Sequence, residues 1–122
     1  MVDDDQGKRE LLAFALARAG YIVHTANDGQ AGLEAVEKQQ PDLIVTDVMM
    51  PRLDGFELAK RIRANPLTRF LPVIIQTAAK HAAEDHLRGA EAGALGYLTD
   101  PTDLDLLLAR VRTLLDFKSY LD

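Results

Sequence analysis

The sequence predicts an α/β fold: a parallel sheet with helices on both faces. Three observations predict it. Amphipathic helical stretches alternate with short apolar runs along the whole chain. The inner runs, "LIVTD" at 43–47 and "LPVIIQT" at 71–77, are continuously apolar, as in strands covered on both faces. Glycine, proline and aspartate punctuate the junctions. Strands separated by helices connect through right-handed crossovers, which makes the sheet parallel.

Taken in order, residues 6–19 place Leu11, Leu12, Ala15, Leu16 and Ala19 on one helical stripe, and Gly20 stops the helix. "YIVHTA" at 21–26 reads as a strand. "NDG" at 27–29 is a turn in which Asn27 or Asp28 caps a helix carrying Ala31, Leu33, Ala35 and Val36. That helix ends before Pro41. After the strand at 43–47, "MMPRLDG" at 49–55 is a loop, and Asp54 caps a helix carrying Phe56, Leu58, Ala59 and Ile62 that Pro66 closes. The strand at 71–77, a helix at 83–93, a strand at 94–100 and a helix at 102–117 complete the chain, with Thr102 or Asp103 capping the last helix. Only "MVDDD" precedes the first helix, where a doubly wound domain has a full central strand. "MV" is too short for a strand of about five residues. Residues further upstream in the natural protein, or a strand donated by another chain, would complete the sheet.

Composition narrows the function. At 122 residues the chain is read as one domain, 1–122, able to bury a real core. A net charge of −5 argues against binding nucleic acid directly. The absence of cysteine excludes disulfides and thiol chemistry. No apolar stretch approaches the roughly 20 residues of a membrane span, and no signal-peptide pattern opens the chain. A soluble, cytoplasmic protein without membrane contact is expected.

The chemistry candidates lie at strand ends, where open parallel sheets bind ligands. Asp3 and Asp4 leave the residual first strand, Asp47 the third, Thr77 the fourth and Asp100 the fifth. Clustered carboxylates repel one another unless protons or a cation intervene, and oxygen-only ligands suit Mg²⁺. For Asp100 and Asp103, helix capping or plain exposure competes with a role at this rim. His24, His81 and His86 are expected at the surface, since His81 and His86 are five residues apart and share no helical face. Met49 and Met50 read as loop and packing residues. Arg61, Arg63 and Arg69 read as a solvated face.

"VDDD" (2–5), "PDLIVTDVMMPRLDGFEL" (41–58), "PVIIQTA" (72–78), "AGALGYLT" (92–99) and Pro101 together resemble the receiver domain of bacterial two-component response regulators, over essentially the whole chain. The resemblance implies a flavodoxin-like three-layer α/β/α fold with strand order 2-1-3-4-5. It implies a signalling module and not an enzyme, in which Asp47 accepts a phosphoryl group from a histidine kinase or phosphotransfer protein. Asp4, Asp47 and the Met49 backbone carbonyl would ligate Mg²⁺, and Asp3 would hold a metal-bound water. Thr77 and the Ala78 N–H would bind phosphoryl oxygens. Tyr97 would be the ring that turns inward on switching. The face built from the fourth helix, fifth strand and fifth helix would change partner binding. Homodimerisation through that face is also implied, with Arg110, Arg112, Asp103, Asp105 and Glu91 as ion-pair candidates. Met49 and Ala79 stand two residues after Asp47 and Thr77. Neither side chain can orient an attacking water, so a long-lived phosphoryl aspartate is expected.

Asp100 departs from the family, which carries lysine there, and Thr102 stands where phenylalanine is favoured. Lysine to aspartate changes the local charge by two. At an effective dielectric of about 20, a charge pair about 4 Å apart is worth roughly 4 kcal/mol before screening. The sign disfavours a phosphorylated state and favours a bound cation. Lys80 is a candidate substitute. The alternative function is a receiver-like protein-binding module that does not use phosphorylation. An aspartyl-phosphate hydrolase fits poorly, since no separate general acid or substrate-binding insertion is visible. An output domain beyond "KSYLD" is a further expectation.

Overall fold

The computed structural model describes residues 1–50, 52–78, 81–100 and 102–119, without the side chains of Asp100, Lys118 and Ser119. Five helices surround a parallel sheet. Helix α1 spans Gln6–Arg18, α2 Gly29–Gln39, α3 Gly55–Ala64, α4 Ala82–Ala92 and α5 Leu104–Ser119. Strands β1 (Ile44–Asp47), β2 (Val73–Ala78) and β3 (Gly96–Asp100) pair in the order β1-β2-β3, all parallel. Val2 adds single parallel bridges to Ala26 on one side and Thr46 on the other. The spatial order is therefore that of a 2-1-3-4-5 sheet whose first two strands are reduced to one bridging residue each, Val2 and Ala26.

Alternation along the strands sorts the core into two layers. Ile44, Val73 and Ile75 face α2, α3 and α4, where Val36, Phe56, Ile62 and Ala92 are buried. Val45, Ile74 and Leu98 face the opposite way, onto Leu12, Leu16, Leu107 and Val111 of α1 and α5. The stripe on α1 is narrower than its periodicity suggests. Leu12 and Leu16 are buried, whereas Leu11 and Ala19 are exposed.

Aspartates start the helices. Asp5, Asp28 and Asp54 cap α1, α2 and α3 by accepting from Lys8 N, Ala31 N and Glu57 N. Asp103 accepts from the N–H groups of Asp105 and Leu106, which assigns it as the α5 cap over Thr102. Gly93 ends α4 in the left-handed conformation at φ 92°.

The segment 21–26 is not a strand, against its β-rich sequence. Strand propensity becomes structure only with a partner ladder, and the neighbour here is the stub Met1–Asp3. Val2 N donates to Val45 O, Asp47 N to Val2 O, Asp3 N to Ala26 O and Ala26 N to Met1 O. Behind Met1, residues 21–25 and Leu43–Val45 border a groove of about 460 Å³. Ile22 is left 90% exposed.

Candidate functional site

The stub at the N-terminus positions the site. Its hydrogen bonds to Ala26, Val45 and Asp47 bring the acids that follow Val2 against the end of β1. One carboxylate oxygen each from Asp3, Asp4 and Asp47 lies within 4.8 Å of the others. Asp3 is fully buried, Asp4 exposed and Asp47 between. The Asp3 Oδ1 accepts from Asp5 N at 3.0 Å. Its Oδ2 is buried without a directed hydrogen bond among the described residues. Oxygen donors of this kind fit a hard divalent cation such as Mg²⁺.

A cation of the protein already stands at the cluster. Lys8 Nζ lies 3.3 Å from Asp3 Oδ2 and 3.6 Å from Asp47 Oδ1. These are ion-pair contacts between a half-buried ammonium and two shielded carboxylates. The α1 first turn that carries Lys8 is fixed on both sides: the Asp5 cap holds Lys8 N, and Arg9 Nη1 donates to Asp3 O at 2.8 Å.

The loop after β1 is held close. Gly55 N donates to Val48 O at 3.0 Å, and a Cβ on Gly55 would meet the Asp47 carbonyl oxygen at 2.3 Å. Only glycine allows α3 to start this near the acidic edge. Met49 lies in this loop with its side chain exposed.

Across the sheet, Thr77 is buried at the end of β2, and its hydroxyl donates to the Asp85 carboxylate on α4. Tyr97 on β3 is half-buried. Its hydroxyl donates to Ala94 O at 3.0 Å, its ring lies 4.8 Å from that of His86, and burial raises its pKa. Asp100 closes β3 in register with Ala78, which puts that position at the same rim. The Asp100 side chain lies outside what is described, as do Ala79, Lys80 and Pro101.

Sequence reasoning brought together Asp3, Asp4, Asp47 and Thr77, and missed three neighbours. Lys8 was legible only as a basic residue in the turn after an acidic run. Gln76 is a lone polar residue in "PVIIQT"; it is buried and its Nε2 donates to Thr102 Oγ1 at 2.9 Å. Asp85 gave no signal. Two surface expectations are corrected. His86 packs its ring against Tyr97, and Arg63 donates to the carbonyls of Gly93, Arg69 and Leu71. Arg63 thus ties α3 to the turn before β2 and the end of α4.

A parallel sheet covered on both faces, with acids gathered at its carboxyl edge, is a flavodoxin-like α/β architecture with a ligand site at that edge. The chain belongs to the response regulator receiver domains of two-component systems: the family model "Response regulator receiver domain" matches residues 1–112. It is 45% identical over 114 residues to the response regulator MprA of Mycobacterium leprae, covering 93% of this chain and 49% of MprA. It is 40% identical over 122 residues to the response regulator PleD of Caulobacter vibrioides, covering all of this chain and 27% of PleD. The chemotaxis protein CheY4 of Vibrio cholerae superposes with a TM-score of 0.85 at 33% identity, over 93% of either chain. The chain therefore spans about half the length of MprA and about a quarter of PleD. Among the described residues, no helix is long and apolar enough to cross a membrane.

Proposed function

We infer that this receiver domain, read as a single domain over 1–122, takes a phosphoryl group onto Asp47 and passes the signal to a partner protein. The observation that carries the reading is the meeting of Asp3, Asp4 and Asp47, with one carboxylate oxygen of each within 4.8 Å of the others. Receiver domains bind Mg²⁺ at an acidic pocket of this kind. Asp4, Asp47 and the Met49 carbonyl would hold it here, with Asp3 behind them through water. When bound, Mg²⁺ neutralises charge on the transferring group.

The residues of the chain do the rest. An Asp47 carboxylate oxygen attacks phosphorus and forms the new P–O bond. The bond from phosphorus to the donor nitrogen of a phosphohistidine breaks, and its electron pair leaves with the imidazole. Thr77 and the Ala78 N–H offer hydrogen bonds to the phosphoryl oxygens, provided Thr77 first leaves Asp85. Tyr97 is the ring coupled to that movement, through its packing on α4. Leu87 on α4, Leu95 before β3 and Leu106 on α5 are exposed apolar residues on the face that would meet a partner or a second copy. On this reading the domain is a signalling switch in the cytoplasm and not an enzyme.

Intact mass after incubation with Mg²⁺ and acetyl phosphate tests the reading, with Asp47→Asn as control. A phosphoryl adduct that disappears in the control is expected. Unmodified protein that is folded and still binds Mg²⁺ would leave the alternative, a protein-binding receiver that does not use phosphorylation.

A further inference from the structure

We propose that Lys8 is the ammonium that meets the phosphoryl group in this domain, supplied from α1 to a site that has aspartate at the end of β3. The proposal rests on Asp47 being the acceptor. Three observations point to it. Lys8 Nζ bridges the buried Asp3 and the acceptor Asp47, within 4 Å of an oxygen on each. A phosphoryl group on the Asp47 carboxylate would therefore be attached to a side chain that Lys8 already faces. Second, the register Ala78↔Asp100 puts residue 100 at this same rim, where an acid adds repulsion to a dianionic group. Third, Lys8 lies in the first turn of α1, where the helix dipole disfavours a cation. Helix stability therefore does not account for a lysine there, whereas the acids beside it do.

Position and charge give Lys8 two opposed effects. Its ammonium partly neutralises Asp3 and Asp47, so it weakens Mg²⁺ binding by repulsion. In the transfer step it stabilises charge on the phosphoryl oxygens as the Asp47 O–P bond forms. With acetyl phosphate, the P–O bond to the acetyl group breaks, acetate leaves with the electron pair, and no proton changes hands at Lys8. A lysine present only to neutralise buried acids would show the first effect and not the second.

The test compares the intact chain with Lys8→Met and Lys8→Met/Asp100→Lys. Adduct formation from acetyl phosphate is followed by mass, Mg²⁺ affinity by calorimetry, and folding by circular dichroism. Losing one charged contact to the transferring group slows adduct formation on the order of 10–100-fold in Lys8→Met. Its Mg²⁺ affinity is expected to rise, and the double variant to recover most of the lost rate. Equal rates in Lys8→Met and the parent would overturn the role of Lys8 and leave Asp47 as acceptor. No adduct in any of the chains would overturn the acceptor reading, and Lys8 with it. A slow Lys8→Met with weakened Mg²⁺ binding would make Lys8 structural and also sink the proposal. Should Lys8→Met not fold, Lys8→Gln decides: adduct formation slower than in the parent with Mg²⁺ binding kept supports the proposal, and a rate equal to the parent's defeats it.

Discussion

Gly89 of α4 lies under the ring of Tyr97. A Cβ at 89 would stand 2.6 Å from Tyr97 Cε1, and the Tyr97 hydroxyl reaches on to Ala94 O. The glycine makes the space in which the ring rests. Gly89→Ala gains about 1 kcal/mol of helix propensity. It also forces the ring to move, and overpacking of this kind costs about 1–3 kcal/mol. We expect a net loss of about 1 kcal/mol in urea unfolding and a changed near-ultraviolet signal from tyrosine. A variant as stable as the parent, with an unchanged spectrum, would show that the ring does not need this space.

Thr77 is engaged before any phosphoryl group arrives, because its hydroxyl donates to Asp85. A hydrogen bond to a charged acceptor contributes about 1.5–3 kcal/mol. On the proposed reading that contact has to open before Thr77 can turn toward Asp47. Asp85→Ala should therefore raise the rate of adduct formation roughly tenfold, at a cost in stability of about 1–3 kcal/mol from the buried hydroxyl left behind. Comparison of adduct time courses checks this, and a slower variant would mean that Asp85 positions Thr77 productively.

Strands β1 and β2 were readable because each is a continuous apolar run, and burial on both faces leaves no other environment for such runs. The caps at Asp28 and Asp54 were readable because capping is local chemistry. The acid cluster followed from strand ends meeting at one edge. The segment 21–26 failed for a non-local reason. Its β-rich composition has only the Met1–Asp3 stub to pair with, and a single bridge at Ala26 is what remains. Lys8, Asp85 and Arg63 were missed because their partners lie on other elements, which no local pattern specifies. The guanidinium of Arg63 reaches Gly93, thirty residues away. No periodicity within α3 encodes that choice.

Arg63 offers a direct check of that last point. Its Nε donates to Gly93 O at 2.9 Å and its Nη2 to Leu71 O at 2.6 Å, with Nη1 on Arg69 O. Burial lowers its pKa, but a guanidinium stays charged at any working pH. Arg63→Met keeps most of the stem and strips these carbonyls of their donor. The partly buried Gly93 O and Leu71 O each cost about 1 kcal/mol or more when left unsatisfied, whereas the exposed Arg69 O turns to water. The expected loss is about 2–4 kcal/mol in urea unfolding, whereas Arg61→Met, whose partner Glu57 is half exposed, should change stability by about 0.5 kcal/mol or less. Equal effects at the two positions would return Arg63 to the solvated face that its sequence suggests.

The amino group of Met1 donates to His24 O at 2.9 Å, and burial lowers its pKa from 8.0 to about 6. The folded chain thus holds this amine neutral at a pH where the unfolded chain protonates it. Between pH 6 and 8 the unfolded state binds more protons, so stability rises as pH rises through this window. Below about pH 6 the amine is charged in both states, and above about pH 8 it is neutral in both, so its contribution to the slope vanishes at either end. Two pH units at about 1.4 kcal/mol each set a ceiling of about 2.8 kcal/mol, which partial exposure of Met1 reduces to roughly 1–2 kcal/mol. The useful quantity is a difference between two chains that differ only at the amine. Unfolding free energies of the free-amine and Nα-acetylated chains, measured from pH 5.5 to 8.5, should diverge with the free amine gaining as pH rises. Parallel curves would place the amine in water, and with it the stub that carries Asp3 and Asp4 to Asp47.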